Sequence, residues 1–256
     1  MNQEPKKAPQ FYQDEDYNFP YHHLPQLNNG AWNFGISWFH SFDYLTLIEF
    51  ILKKINTKYP KKILDFGCGD GRLTKEIINN YDSEIYGVDI SKKALTFAKL
   101  FCNEKENNKI FFNNLHELPN IKFDLIIATE VLEHIDEKEL PEILKSLSKI
   151  INDDGIFLIT VPSVVRQPIP KKHFRHYDLE LLKEHVGDYF DIEELFYLNK
   201  KSILSKILRR LMHNKFFTSN FSSYNNLITK IYKKYIFYAQ ESNGQNIALT
   251  LKKRST

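Results

Sequence analysis

Two groups of polar residues in this 256-residue chain have the types and spacing to do chemistry. In the first, Lys62–Arg72, Asp65 precedes three glycines at alternate positions, Gly67, Gly69 and Gly71, with Cys68 between the first two and Asp70 between the last two. Gly67 and Gly69 can take φ > 0 and let a ligand approach the main chain, and a helix starting beyond them offers unpaired N–H groups. Arg72 stands where the third glycine of a dinucleotide fingerprint would fall, and no Gly-Lys-Ser/Thr follows, which excludes both a dinucleotide turn and a phosphate-gripping loop. Carboxylates would repel a pyrophosphate; a ligand carrying an ammonium group and a ribose suits them better. Asp89, near the end of the apolar run Glu84–Ile90, can accept both hydroxyls of that ribose. The second group is Glu130-Val131-Leu132-Glu133-His134. On a helical start Glu130, Glu133 and His134 are i, i+3 and i+4 and share one face. Two carboxylates and an imidazole there can bind a divalent metal or hold His134 as a general base.

These groups need a scaffold, and the apolar pattern supplies one. A helix over Tyr44–Ile55 leads into a strand at Ile63–Phe66; Leu73, Ile77 and Ile78 mark the first crossover helix, and Ser91 caps a second with Ala94, Leu95, Ala98 and Phe101 at helical period. Further strands are expected at Ile110–Phe112, Phe123–Ala128, Gly155–Val161 after an Asp153-Asp154-Gly155 turn, Asp191–Leu198 and Gln245–Leu251, with a helix over Leu140–Ile151. Strands alternating with helices imply right-handed crossovers and a doubly wound α/β sheet, whose carboxyl edge receives ligands. That edge takes Thr129 and Glu130 from the fourth strand.

Ile63–Gly71 and Tyr86–Ser91 together resemble the first and second motifs of class I S-adenosylmethionine-dependent methyltransferases, over roughly residues 60–199. The resemblance implies a Rossmann-like seven-stranded sheet with its last strand antiparallel. It also implies S-adenosylmethionine as cofactor, with S-adenosylhomocysteine as product. The cofactor would be held by Asp65, Gly67, Cys68, Gly69 and Asp70 at its methionine part, Asp89 and Ile90 at the ribose, Asn114 and Leu115 against the adenine, and Thr129 and Glu130 nearby. Cys68 reads as a small turn residue rather than a nucleophile. Glu130–His134 is similar to ubiquinone-biosynthesis O-methyltransferases and to small-RNA 3′-terminal 2′-O-methyltransferases, in which such residues bind a metal with a further histidine. His173 and His176 lie where such a partner would come from. The reading adopted makes His134 the base, with Glu130 and His173 in the catalytic set, and expects no metal; if one is bound, the ligands are Glu130, Glu133 and His134. Val161–Ser163 through His173–Tyr177 also resembles bacterial methyltransferases of surface-polysaccharide assembly. That resemblance implies an oxygen acceptor on a sugar, a capsule precursor or a phosphate-bearing small molecule, contacted by Arg175 and His176.

Residues 1–20 are polar and proline-punctuated and read as extended, and the stiff Phe19–Pro25 segment puts Tyr21 and His22 over the pocket as substrate contacts. The expected division is an N-terminal strap to residue 40, a core over 41–199, a basic helical lid over 200–240, and a last strand and tail. In the lid, Ile203, Leu204, Ile207, Leu208 and Leu211 form one apolar stripe and Leu227, Ile228, Ile231, Tyr232 and Tyr235 another. From Lys200 onward there are twelve Lys or Arg and one acid, Glu241, and the total of +3 leaves −8 for residues 1–199. Such a basic end attracts phosphate, nucleic acid or a membrane surface. Peripheral membrane contact fits basic amphipathic helices; nucleic acid is not favoured, for want of a stacking platform. Two cysteines, no signal segment and no run of bilayer length give the expectation of a cytoplasmic protein, and the heavy use of Lys, Asn and Ile that of a bacterial one. The rival readings are an RNA 2′-O-methyltransferase and a non-catalytic cofactor-binding or membrane-surface scaffold.

Overall fold

The computed structural model describes residues 9–17, 20, 22, 25–28, 31–34, 41–105, 110–214, 216–219 and 221–254. Helix α1 (Pro9–Asp16) and an antiparallel hairpin, β1 (Pro25–Asn28) with β2 (Ala31–Phe34), precede helix α2 (Ser41–Lys58). There follow β3 (Lys62–Phe66), α3 (Arg72–Asn80), β4 (Glu84–Val88), α4 (Lys92–Phe101), β5 (Phe111–Phe112), β6 (Phe123–Thr129), α5 (Leu140–Ile150), β7 (Ile151–Pro162), α6 (Leu179–Val186) and β8 (Phe190–Lys200). Helices α7 (Ile203–Met212) and α8 (Ser222–Tyr235), strand β9 (Tyr238–Ala239) and strand β10 (Gly244–Lys253) complete the order. The main sheet runs β5-β4-β3-β6-β7-β10-β8-β9. β10 is antiparallel to both neighbours, β7 and β8, while β3 to β7 pair in parallel.

The near-continuous apolar strands follow from cover on both faces. Leu64, Ile126, Phe157 and Ile159 pack on one side against Leu144 and Leu147 of α5 and Leu182 and Val186 of α6. Ile63, Leu125, Ile127 and Leu158 point to the other side, against Ile48, Ile51 and Ile55 of α2 and Ile77 of α3. The period of two within each strand divides one hydrophobic run between two cores.

The structure departs from the expected elements in three places. Residues 9–16 form a helix, not an extended strap. The sheet has eight strands, because the two-residue β9 adds an edge on β8. β7 starts at Ile151, and its pairing with β6 jumps from Phe123↔Ile151 to Leu125↔Ile156, so Asn152–Gly155 bulges where a turn was expected. The insertion packs Leu208, Met212, Ile228, Tyr232 and Ile236 on Phe42 and Leu45 of α2. Each of its apolar stripes is thereby divided: Leu208, Ile228 and Tyr232 are buried, whereas Ile203, Ile207, Leu211 and Leu227 are exposed. Among the described residues no helix is long and apolar enough to cross a membrane.

Candidate active site

β3 ends in the glycine turn because Gly67 and Gly69 stand at φ +75° and +55°, a region closed to most side chains. The turn is tied to the neighbouring strand: Gly67 and Cys68 donate their amides to the Val88 carbonyl at 2.7 and 3.1 Å. Asp89 braces it further, one carboxylate oxygen accepting from the Gly69 amide and the other from the Ser91 amide, both at 2.8 Å. Asp65 is buried beneath and accepts from the Thr74 hydroxyl at 2.6 Å. Burial pushes Asp65 up to about 7, with the Thr74 hydrogen bond opposing and Asp89 adding to the rise. Asp89 is raised to about 6, again mainly by burial, against its two amide donors. A cavity of about 730 Å³ opens over this turn, and Asp65, Gly67, Cys68, Gly69, Asp89, Ile90, Thr129 and Glu130 all line it. Burial also pushes the Cys68 thiol up, which keeps it protonated and unsuited to be a nucleophile.

At the end of β6 the chain turns sharply: Glu130 has φ +55°, and Leu132–His134 form a short 3-10 helix rather than an α-helical start. Glu130, Glu133 and His134 therefore do not share one helical face. Glu130 accepts from Arg166 Nη1 at 2.9 Å and from Asn246 Nδ2 at 3.0 Å. Glu133 is fully buried; its two carboxylate oxygens lack a hydrogen-bond partner, and burial next to Glu130 raises it well above the usual carboxylate range. His134 Nδ1 donates to the Lys172 carbonyl at 2.9 Å, so the neutral ring keeps its lone pair on Nε2. Burial lowers His134 to about 4, so it is neutral at physiological pH. His173 is fixed by the same logic. His176 Nδ1 donates to the Arg166 carbonyl, its Nε2 accepts from His173 Nδ1 at 3.0 Å, and His173 Nε2 is left as an acceptor. The His134 and His173 rings meet edge to face at 4.6 Å. Glu133, His134 and His173 each offer a ligand atom within 4.8 Å of the others.

Several residues expected at the site have other work. Asp70 does not itself line the cavity and is paired with His22, whose Nδ1 lies 3.1 Å from its carboxylate. Asn114 caps the short helix Leu115–Glu117 by accepting from the Glu117 amide, and neither it nor Leu115 lines the cavity. Arg175 bonds the Leu132 carbonyl and pairs with Glu137, His176 is buried behind His173, and neither lines the cavity. Glu130 cannot join a metal set with Glu133 and His134, being committed to Arg166 and Asn246. His22 does line the cavity, its ring tilted against that of Tyr44 at 4.8 Å, whereas Tyr21 lies outside the described residues. Lys172 lines the cavity and pairs with Asp16 of α1 at 2.7 Å, while sequence reasoning missed Tyr17, Tyr44, Asp43 and Arg166 as cavity walls. A signal existed for Arg166. The strand after β6 in the chain lies beside it in the sheet, so the loop leaving β7 must pass Glu130, and Arg166 is the first cation in it.

Residues 40–202 match the family described as a methyltransferase domain. The chain belongs to that family. Relatives include cyclopropane-fatty-acyl-phospholipid synthase from Escherichia coli (strain K12), 30% identical over 112 residues, covering 44% of this chain and 29% of the relative. Another is ubiquinone biosynthesis O-methyltransferase from Glaesserella parasuis, 29% identical over 121 residues, 44% of this chain and 50% of the relative. The matched region thus spans half or less of these two relatives. Magnesium protoporphyrin IX methyltransferase from Synechocystis PCC 6803 with bound S-adenosylmethionine shares the fold at TM-score 0.57 and 14% identity, over 99% of this chain and 100% of that one. N-methyltransferase NodS from Bradyrhizobium japonicum in complex with S-adenosyl-L-homocysteine does so at 0.55 and 11%, over 89% and 94%.

The cradle fits S-adenosylmethionine, which is bound in one of these structural neighbours. Gly67 and Gly69 border the cavity close under the Val131 and Tyr17 side chains, the Asp65 and Asp89 carboxylates line it and could face an ammonium and a ribose, and apolar Ile90 is 64% exposed at the rim. A Cβ at position 67 would overlap the Val131 side chain in a left-handed backbone. Gly67→Ala is therefore expected to weaken S-adenosylhomocysteine binding about tenfold or more, at a strain cost of about 1–3 kcal/mol; calorimetry on the variant decides it. Asp65 gives a pH signature. The ligand ammonium favours the ionised carboxylate, so below about 7 binding must release a proton, and affinity should fall by up to about tenfold per pH unit on acidification. Titrations in buffers of different ionisation enthalpy measure that proton directly; a constant affinity down to about pH 5 would remove Asp65 from the ammonium site.

Proposed function

We propose that this methyltransferase methylates a hydroxyl oxygen of a sugar-type small molecule, such as a surface-polysaccharide precursor. Bound S-adenosylmethionine supplies a methyl group already activated on its sulfonium. What remains for the protein is to align a hydroxyl with that methyl and remove its proton. The observation that carries the reading is the pair of imidazole Nε2 lone pairs on two adjoining cavity residues, His134, fixed by the Lys172 carbonyl, and His173, fixed by His176. His134 takes the hydroxyl proton, and His173, held by His176, hydrogen-bonds the incoming oxygen. Gln13, Asp16, Asp136 and Glu139 on the same wall offer acceptors to further hydroxyls, and Phe174 offers a face for the apolar side of a sugar ring. Those acids disfavour a phosphate at this wall, and the nearby cations are engaged, Lys172 with Asp16 and Arg175 with Glu137. The same acidity weighs against an RNA backbone. Methyl-labelled cofactor offered with nucleotide-linked sugars, free glycosides, phenols and amines tests the proposal. Label in a sugar methoxy group supports it, and label confined to amines overturns it.

Glu133 favours one second reading. A buried carboxylate with no hydrogen-bond partner, beside two imidazole lone pairs, is a donor set for a divalent cation, which would polarise the acceptor oxygen in place of a base. Manganese binding by the apoprotein, abolished in Glu133→Gln, is the expected sign. Absence of binding at millimolar manganese leaves the imidazoles as the proton acceptors.

A further inference from the structure

We infer that the outer face of the α7–α8 insertion docks on an anionic membrane surface. Helix α7 has already spent one face on the core, through Ser205, Leu208 and Met212, and Arg209 is bound to Asp43. Its other face should then be polar, yet Ile203, Ile207 and Leu211, spaced at four residues, form an exposed apolar stripe. Ile203 is 77% exposed and Ile207 48%. Phe221, 70% exposed at the start of α8, and Leu227 on that helix add to it. Lys206 and Arg210 lie along the flank of the stripe, and Lys230 and Lys234 are exposed on α8; none of the four pairs with a described carboxylate.

Charge selects the occupant. The segment 200–240 contains nine Lys or Arg and no Asp or Glu, so two copies meeting through this face would bring like charges together. A nucleic-acid backbone would use the cations and leave the aliphatic stripe in water. An anionic bilayer uses both, the apolar side chains entering the headgroup boundary and the cations meeting lipid phosphates. The placement is also functional. β8 runs parallel to β3–β7 and β10 antiparallel, so the insertion leaves from the end of β8 and returns at the start of β10, both at the edge that carries the glycine turn. Lys201, at its root, donates to the Val165 carbonyl in the loop that bears Arg166. A docked insertion brings the cavity to the lipid surface.

The test is sedimentation of the full chain with vesicles of phosphatidylcholine alone or mixed with phosphatidylglycerol. Binding only to the mixed vesicles, weakened by salt, is expected. Lys206→Glu/Arg210→Glu should reduce that binding about tenfold or more, and Ile203→Ser/Ile207→Ser should also release the protein. Unchanged S-adenosylhomocysteine affinity shows that each variant is folded. A full chain that stays in the supernatant with mixed vesicles at low salt overturns the proposal, as does a charge-reversed variant that pellets like the wild type. A dimer in light scattering that Ile203→Ser/Ile207→Ser converts to monomer assigns the face to a second copy instead.

Discussion

Replacing His134 with alanine is expected to lower turnover by about 10²–10⁴ while leaving S-adenosylhomocysteine affinity nearly intact. The ring reaches the cavity only through Nε2, since Nδ1 is consumed by the Lys172 carbonyl. Its removal takes away the proposed proton acceptor but touches neither the glycine turn nor Asp89. The expected loss is therefore in kcat, at an unchanged cofactor Kd. His134→Gln separates base chemistry from packing, because the amide fills much of the space but cannot take the proton. Single-turnover rates with a hydroxyl acceptor give the comparison; a His134→Gln enzyme as fast as the parent would remove the imidazole from the mechanism.

The largest stability effect is expected at Arg209. Its guanidinium grips the Asp43 carboxylate with two nitrogens, one of the contacts at 3.1 Å, and this pair joins α7 to the first turn of α2. Asp43 is buried, and it also lines the cavity. Arg209→Ala leaves that carboxylate without its bidentate partner, at a cost of about 3 kcal/mol. This is the low end for a broken buried pair, because the arginine is partly exposed and the N-terminus of α2 still favours the negative charge. For a chain of this size the melting temperature should drop by roughly 6–12 °C. Arg209→Lys should recover only part of it, since a single ammonium cannot reproduce the fork. Thermal unfolding of the three proteins measures the series; equal melting temperatures would show that the pair contributes nothing.

What could be read from the chain divides by sequence distance. Asp65, Gly67, Gly69 and Asp89 were legible because a strand, a glycine turn and a following strand with a terminal acid encode their geometry within about 25 residues. The core strands were legible for the same local reason. Glu130 was found but its neighbours were not, because Arg166 and Asn246 lie 36 and 116 positions away and only strand order brings them to it. Its own left-handed backbone also defeated the helical spacing argument. Asn114 and Leu115 do not line the cavity, and their neighbour Asn113 acts behind it, donating to the carbonyls of the cavity residues Asp89 and Ile90 at 3.0 Å. In α7 the apolar residues were visible, but a helix with apolar residues on two faces does not say which face is core; Phe42 and Leu45 decided it.

The position of β10 has a bearing on when this site comes into being. Residues 244–253 slot between β7 and β8, and Asn246 of that strand donates to Glu130 and accepts from Asn199, which in turn accepts from Tyr232 of α8. A nascent chain can build β3–β7 and its glycine cradle from nearby segments, but β7 and β8 are strangers until β10 arrives to bridge them. The glycine cradle is thus encoded by segments made early, whereas the Asn246 anchor of Glu130 comes from a strand made after them.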